Sequence, residues 1–315
     1  MSARTSPPAT DQDSGTRRGS AGQHHRSRIA RVPPLVWLFL LVPFVTELFW
    51  VFWPAANSFS LALTRWDGIS LAEPVGLQNF RDLAADPIFR TALQNNVVWV
   101  LGFGGLSVVG GLALAVTLNK PGPLVSLYRS AIYLPMVVSL AVSGLFWRVM
   151  YAPDGPINGT LELLGLESLQ RQWLADPAVA LWAVLIAAVW RQVGYIMVLY
   201  LAGLKGTDPT LEEAAAVDGA SAWQRFWRIV MPQLRGVNTV VFAVTVIDSL
   251  RTFDIVWAMT RGGPYNETQL LSTYMFQQAF TTGNLGYASA IAVVIFALAI
   301  GFIITYLARQ ARTED

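Results

Sequence analysis

Asp248, Arg251 and Asp254 recur at i, i+3 and i+6 within one strongly apolar stretch. On a single helix they would be neighbours, and the central guanidinium could pair with either carboxylate. Arg191 is a further charge inside another apolar run, with Trp190 and Tyr195 beside it. Two kinds of chemistry suit such a set. One is a self-neutralising network that fixes helix packing. The other is a polar path that hydrogen-bonds hydroxyl groups, with Trp190 and Tyr195 stacking on a ring face. Nucleophilic or metal chemistry finds little support. There is no Cys, and the two His are adjacent at His24 and His25 in a polar stretch. No G-x-x-x-x-G-K-[ST] occurs, so the chain has no P-loop to hold ATP. We expect no enzyme, no catalytic residue, no metal and no cofactor. The net charge of +2 gives no reason to expect a nucleic-acid partner.

The elements that must carry these residues are membrane spans. Of the 315 residues, 54% are hydrophobic and 13% are charged, with a mean hydropathy of +0.45. A soluble domain carries about 25% charged residues, so an ordinary wet surface cannot be built here. A bilayer core needs about 20 apolar residues in helix. Three charge-limited runs supply spans near Val97–Leu118, Ala131–Trp147 and Ala288–Leu307, with a short outer segment before the last. Three more, Leu35–Ala56, Val179–Leu204 and Asn238–Met259, each carry charge: Glu47, Arg191, and Asp248 with Arg251 and Asp254. The expected fold is therefore an all-α integral membrane protein with six transmembrane helices. Ser107, Gly111 and Ala115 form a small-xxx-small stripe that predicts close helix packing.

Lys and Arg placement orients the chain. With the N-terminus in the cytoplasm, the inner segments hold fourteen basic residues and the outer loops six. Both termini are then cytoplasmic. Residues 1–32 are too polar to bury a core and are expected to be a disordered cytoplasmic tail. The rival, a cleaved signal peptide ending near Pro54-Ala55-Ala56, does not suit a span-length apolar run after so long a polar lead. Residues 33–90 should hold the first span and an outer loop, and 309–315 a cytoplasmic C-terminal tail.

The inner connection from Lys205 to Gly236 is patterned. Asp208-Pro209-Thr210 is a helix start, and Thr210 with Glu213 fits a capping box. Asp218-Gly219 breaks the short Ala-rich helix, and Ser221 with Gln224 fits a second box. Trp223, Phe226, Trp227 and Val230 then share one helical face, with Arg225 and Arg228 turned away. Two short helices at an angle should lie at the inner membrane surface, as an anchor or as a contact for another protein.

Glu213-Ala214-Ala215, then Gly219, Ile229 and Met231-Pro232, resemble the EAA loop of binding-protein-dependent ABC importer permeases. Met231 stands where Leu is usual, and Gly236 where a second Pro is common. Val75-Gly76-Leu77-Gln78-Asn79-Phe80, Leu93-Gln94-Asn95-Asn96, Thr260-Arg261-Gly262-Gly263-Pro264 and Gly286-Tyr287-Ala288-Ser289-Ala290 are similar to the first permease of maltose, glycerol-3-phosphate and multiple-sugar importers. The resemblance covers roughly Leu35 to Ala308 and implies a type I ABC importer transmembrane domain at 91–308, in a bacterial cell membrane. It assigns Glu213, Ala214, Ala215, Asp218 and Gly219 to ATPase coupling; for Glu213 contact with the ATPase is favoured over the alternative of capping its own helix. The implied partners are an ATP-binding subunit dimer, a second related permease, an extracytoplasmic solute-binding protein, membrane lipid and a carbohydrate substrate. A secondary transporter driven by an ion gradient through Asp248, Asp254 and Arg191 is the alternative, but no repeated halves support it.

Overall fold

The computed structural model describes residues 34–314; the expected disordered tail, 1–32, lies outside them. The described chain falls into two units that part between Val51 and Phe52. In the first, α1 (Pro34–Glu47) is an apolar helix that leads into a π-helical turn at Leu48–Phe52. The second opens with α2 (Trp53–Leu61), continuous with that turn, and Phe39–Leu61 is together long and apolar enough to cross a bilayer.

A two-stranded hairpin follows, β1 (Thr64–Arg65) against β2 (Glu73–Pro74), then the short α3 (Gln78–Ala85). The second span, α4 (Pro87–Thr117), starts where a sequence rule would start it. Asp86 caps it by accepting from the Ile88 N–H at 2.8 Å, and Pro87 takes the first-turn place where no donor is needed.

The third apolar run is not one straight span. It is α5 (Pro123–Val137) and α6 (Leu140–Met150), bent by 103° at Val138-Ser139. Pro135 has already removed a backbone donor near the end of α5, Val138 is extended, and the Ser139 hydroxyl starts α6 by accepting from the Val142 N–H. The connection to the fourth span carries α7 (Pro156–Leu163) and a 3-10 turn at Glu167–Leu169.

The fourth span, α8 (Ala180–Leu204), is the most enclosed of the four unbroken spans, with more than half of its apolar stretch buried. It packs along α4, where a Cβ on Gly111 would lie 2.6 Å from Ile196; Ser107 and Ala115 on the same stripe are fully buried. This is the close approach that the small residues predict.

The connection then forms α9 (Pro209–Val217), α10 (Ala222–Arg225), a π-helical turn at Phe226–Val230 and α11 (Met231–Gln233). After a 75° bend comes the fifth span, α12 (Arg235–Arg251). It is shorter than expected. Thr252 and Phe253 leave the helix, and α13 (Asp254–Met259) is a separate element. The short segment before the last span is α14 (Leu271–Phe276) with a π-helical turn at Gln277–Thr281. The last helix, α15 (Leu285–Glu314), is apolar enough to span over Leu285–Tyr306 and continues through the residues expected to be a C-terminal tail. Among the described residues four helices thus qualify alone, and the two bent pairs, each taken as one span, bring the number to six.

Candidate functional site

The connection between the fourth and fifth spans is built by local hydrogen bonds. Asp208 caps α9, its carboxylate accepting from the Thr210 N–H at 2.9 Å and the Thr210 hydroxyl at 2.7 Å. Those two donors hold the Asp208 carboxyl below its ordinary value. Asp208 rather than Thr210 is the N-cap, which places Thr210 inside the first turn of α9, so the Thr210–Glu213 capping box expected from the sequence does not form. Glu213 is left exposed with no capping duty.

Gly219 ends α9 in the left-handed region at φ +81°. Its N–H donates to Ala216 O, and the Ala220 N–H to Ala215 O, the paired closure that a glycine after a helix permits. The Ser221–Gln224 box does form, with both reciprocal bonds present. Two cross-ties hold the two helices together: Glu212 and Arg225 approach to 3.7 Å, and the Asp208 N–H donates to Gln233 Oε1 at 2.8 Å. Glu213, Ala214, Asp218 and Gly219 face outward, Ala215 is half-buried, and Val217 at the helix end is 89% exposed. The unit is a cross-tied elbow that presents small and apolar side chains together with the carboxylates of Glu213 and Asp218 to whatever meets it.

Behind the elbow lies a cavity of about 1740 Å³. Its walls are the ends of α4, α8 and α12, Tyr306 of α15, and the inner face of the second loop helix, including Phe226 and Val230. Lys120 and Arg235 stand at this cavity as well. Trp223 and Trp227 pack edge to face at 5.4 Å, and Trp223 stays largely exposed, as an interfacial aromatic does.

The charges inside the spans are arranged differently from a self-paired triad. Among the described residues the ion pairs are Arg171–Asp176 and Arg225–Glu212, so Asp248, Arg251, Asp254 and Arg191 make none. The helix break at Thr252-Phe253 takes Asp254 off the fifth span and out of the i, i+3, i+6 series. Arg251 and Asp254 are exposed, and Arg251 borders a mostly apolar cavity of about 550 Å³ between α12, α14 and α15.

Arg191 is occupied by backbone. Its Nε donates to Val138 O at 3.2 Å and its Nη2 to Met136 O at 3.4 Å. The last carbonyls of a helix have no partner within it, and here a guanidinium from α8 serves the end of α5. The neighbouring residue, Gln192, is buried and donates to Asp248 Oδ2 at 3.0 Å. Consecutive residues of α8 therefore bind α5 and α12.

Trp190 stacks on Phe146 at 5.8 Å and meets Trp147 edge-on, so one of its faces is taken by α6. Tyr195 packs in the cluster around Tyr200, Val230 and Leu234. The break after α12 is likewise served from outside: the Ser272 hydroxyl donates to Thr252 O and the Trp99 indole to the Thr252 hydroxyl. Charge and motif patterns do not single out Gln192 or Ser272. A weak signal does exist, since a polar residue in an apolar helix needs a partner.

Residues 107–313 match the family described as binding-protein-dependent transport system inner membrane component. The chain is 35% identical over 284 residues to a probable ABC transporter permease of Pyrococcus horikoshii, covering 90% of this chain and 97% of that one. It is 33% identical over 282 residues to the lactose transport system permease of Rhizobium radiobacter, covering 88% and 94%. The fold is similar to a chain of a bacterial ABC transporter involved in import of the acidic polysaccharide alginate, at TM-score 0.75 and 21% identity, covering 88% and 95%.

Proposed function

The chain belongs to the binding-protein-dependent transport system inner membrane component family, as an ABC importer permease and not an enzyme, and from that premise we propose how it works. It forms half of the translocation path for a sugar or sugar-like solute. A second, related permease forms the other half, a separate ATPase dimer drives the cycle through residues 205–236, and an extracytoplasmic binding protein delivers the solute. The observation that carries this reading is the elbow at Pro209–Gln233, a cross-tied element whose outward face joins small and apolar side chains to the exposed carboxylates of Glu213 and Asp218. Glu213 is released from capping and Val217 projects, so both are available to a groove on an ATPase. The names of sugar-carrying relatives favour a carbohydrate solute.

Closure of the ATPase dimer would bring the elbows of the two permeases together. The 75° bend before α12 and the tie from Gln233 to Asp208 would carry that movement into the fifth span. Of the charges in and beside the spans, Arg251 and Asp254 are free to meet solute hydroxyls, as is the open part of Trp190. Arg191, Asp248 and Tyr195 hold helices. An ion relay through Arg191 is disfavoured because its guanidinium is bound to carbonyls. Both termini are assigned to the cytoplasm by the bias of basic residues.

Uptake into proteoliposomes holding both permeases and the ATPase tests the reading. It should need ATP and the binding protein, stop with vanadate, and survive collapse of ion gradients. Uptake that follows the ion gradient would overturn it. The absence of Cys makes a second test clean: a lone Ala214→Cys should cross-link to the ATPase subunit, and a lone Leu163→Cys should not.

A further inference from the structure

The hairpin between the first and second spans has a closed tip. Asp67 Oδ1 accepts from the Ile69 N–H at 2.9 Å, the Ser70 N–H at 2.8 Å and the Ser70 hydroxyl at 2.8 Å. The Trp66 indole donates to Ser70 O at 2.8 Å. The turn is thus fixed before anything touches it, and its hydrogen bonds hold the Asp67 carboxyl ionised, pushed down to about 2. On this fixed turn Ile69 is 94% exposed and Leu71 92%.

The hairpin is also joined to the last span. The Gly286 N–H donates to Trp66 O at 3.1 Å. A Cβ on Gly286 would lie 2.1 Å from Thr64 O, and one on Gly68 would lie 2.7 Å from Leu285. Asn79 donates to the carbonyls of Ala62 and Thr64 at 2.8 and 2.9 Å. The aliphatic tip itself takes no part in the packing of the spans.

Six alternating spans put the connection between spans one and two on the membrane face opposite the elbow between spans four and five. The tip therefore faces the compartment from which solute arrives. Two almost fully exposed aliphatic side chains on a preformed turn suit a partner with an apolar recess. A lipid surface fits less well, because sinking the tip would draw an ionised carboxylate toward hydrocarbon. A soluble protein with a basic side chain beside its recess meets both features.

We propose that Asp67–Leu71 is a docking knob for the extracytoplasmic binding protein, with Ile69 and Leu71 seated in an apolar recess and Asp67 facing a basic residue. The joint at Trp66–Gly286 passes this contact to the last span. The inference rests on the reading of the chain as a binding-protein-dependent importer subunit.

The test is ATP hydrolysis by the reconstituted complex in nanodiscs, measured against binding-protein concentration. An Ile69→Asn/Leu71→Asn double variant should raise the half-stimulating concentration at least tenfold while assembly and unstimulated hydrolysis stay at wild-type level. Asp67→Asn keeps the accepting oxygen and should weaken the salt dependence of stimulation. Leu163→Asn, at an exposed leucine of the connection between spans three and four, should change nothing. Wild-type stimulation in the double variant overturns the proposal, as does a shift that tracks the anionic lipid content of the nanodisc. Failure of the binding protein to stimulate the wild-type complex would strike the underlying functional reading instead.

Discussion

A methyl group added at Gly194 would sit 2.2 Å from the carbonyl oxygen of Ile132. That neighbour is backbone, so relief requires α5 and α8 to move apart. Gly219 is the opposite case: its φ of +81° is unfavourable for other residues, but a Cβ there would meet nothing within 4 Å. Gly194→Ala should therefore cost about 2–3 kcal/mol or more by overpacking, lowering the melting midpoint and the yield of folded protein. Gly219→Ala should cost only about 1–2 kcal/mol, the penalty of the left-handed conformation. Thermal melts of the two variants in detergent check the order. The EAA spacing by itself singles out Gly219. Nothing local marks Gly194, because its need arises from a helix distant in sequence.

The bent third span is an element-scale feature with one side chain at its hinge. Arg191 supplies donors to Met136 and Val138, so Arg191→Gln should remove charge-assisted bonds worth about 1.5–3 kcal/mol. The expected result is a lower melting midpoint with little change in the half-saturating solute concentration among molecules that stay folded. A role in solute binding would give the reverse pattern, which proteoliposome uptake beside melting separates. Hydropathy locates all six spans because each must fill a bilayer. It does not locate the 103° bend, since the apolar run continues through Met136, Val137, Val138, Leu140 and Ala141 on either side of Ser139. For the same reason periodicity puts Asp254 on the fifth span: the pattern continues across Thr252-Phe253, while the helix does not. The loop between spans four and five is more legible. Its stops and starts rest on capping residues within a few positions, and only the Thr210–Glu213 box fails, because Asp208 is the N-cap and Thr210 lies inside the helix.

At the scale of the whole molecule the two membrane faces are fastened differently. On the elbow side the ends of α4, α8 and α12 border a large cavity. On the other side, side chains tie segments distant in sequence. Asn95 donates to Glu267 O and Gln269 O at 2.8 and 3.0 Å, and Asn96 accepts from the Leu271 N–H at 2.8 Å. Asp86, the cap of α4, accepts from the hydroxyls of both Tyr274 and Tyr287, the latter at 2.7 Å. Burial works against the Asp86 charge, but the two phenols and the Ile88 N–H outweigh it and hold the carboxyl below its ordinary value. The sign follows by linkage. A carboxyl with a folded pKa below its unfolded one stabilises the fold above the unfolded value, and that contribution is lost as pH falls through the folded one. Asp86→Asn should therefore cost about 1–3 kcal/mol at pH 7, where two phenols lose their charged acceptor. The gap between variant and wild type should persist down to about pH 5 and close below the ordinary carboxylate range near pH 4. Melting midpoints of both proteins from pH 7 to pH 3 measure it. A gap that stayed constant across that range would mean that the three-way knot does not depend on the Asp86 charge and that the face opposite the elbow is held by the asparagine ties instead.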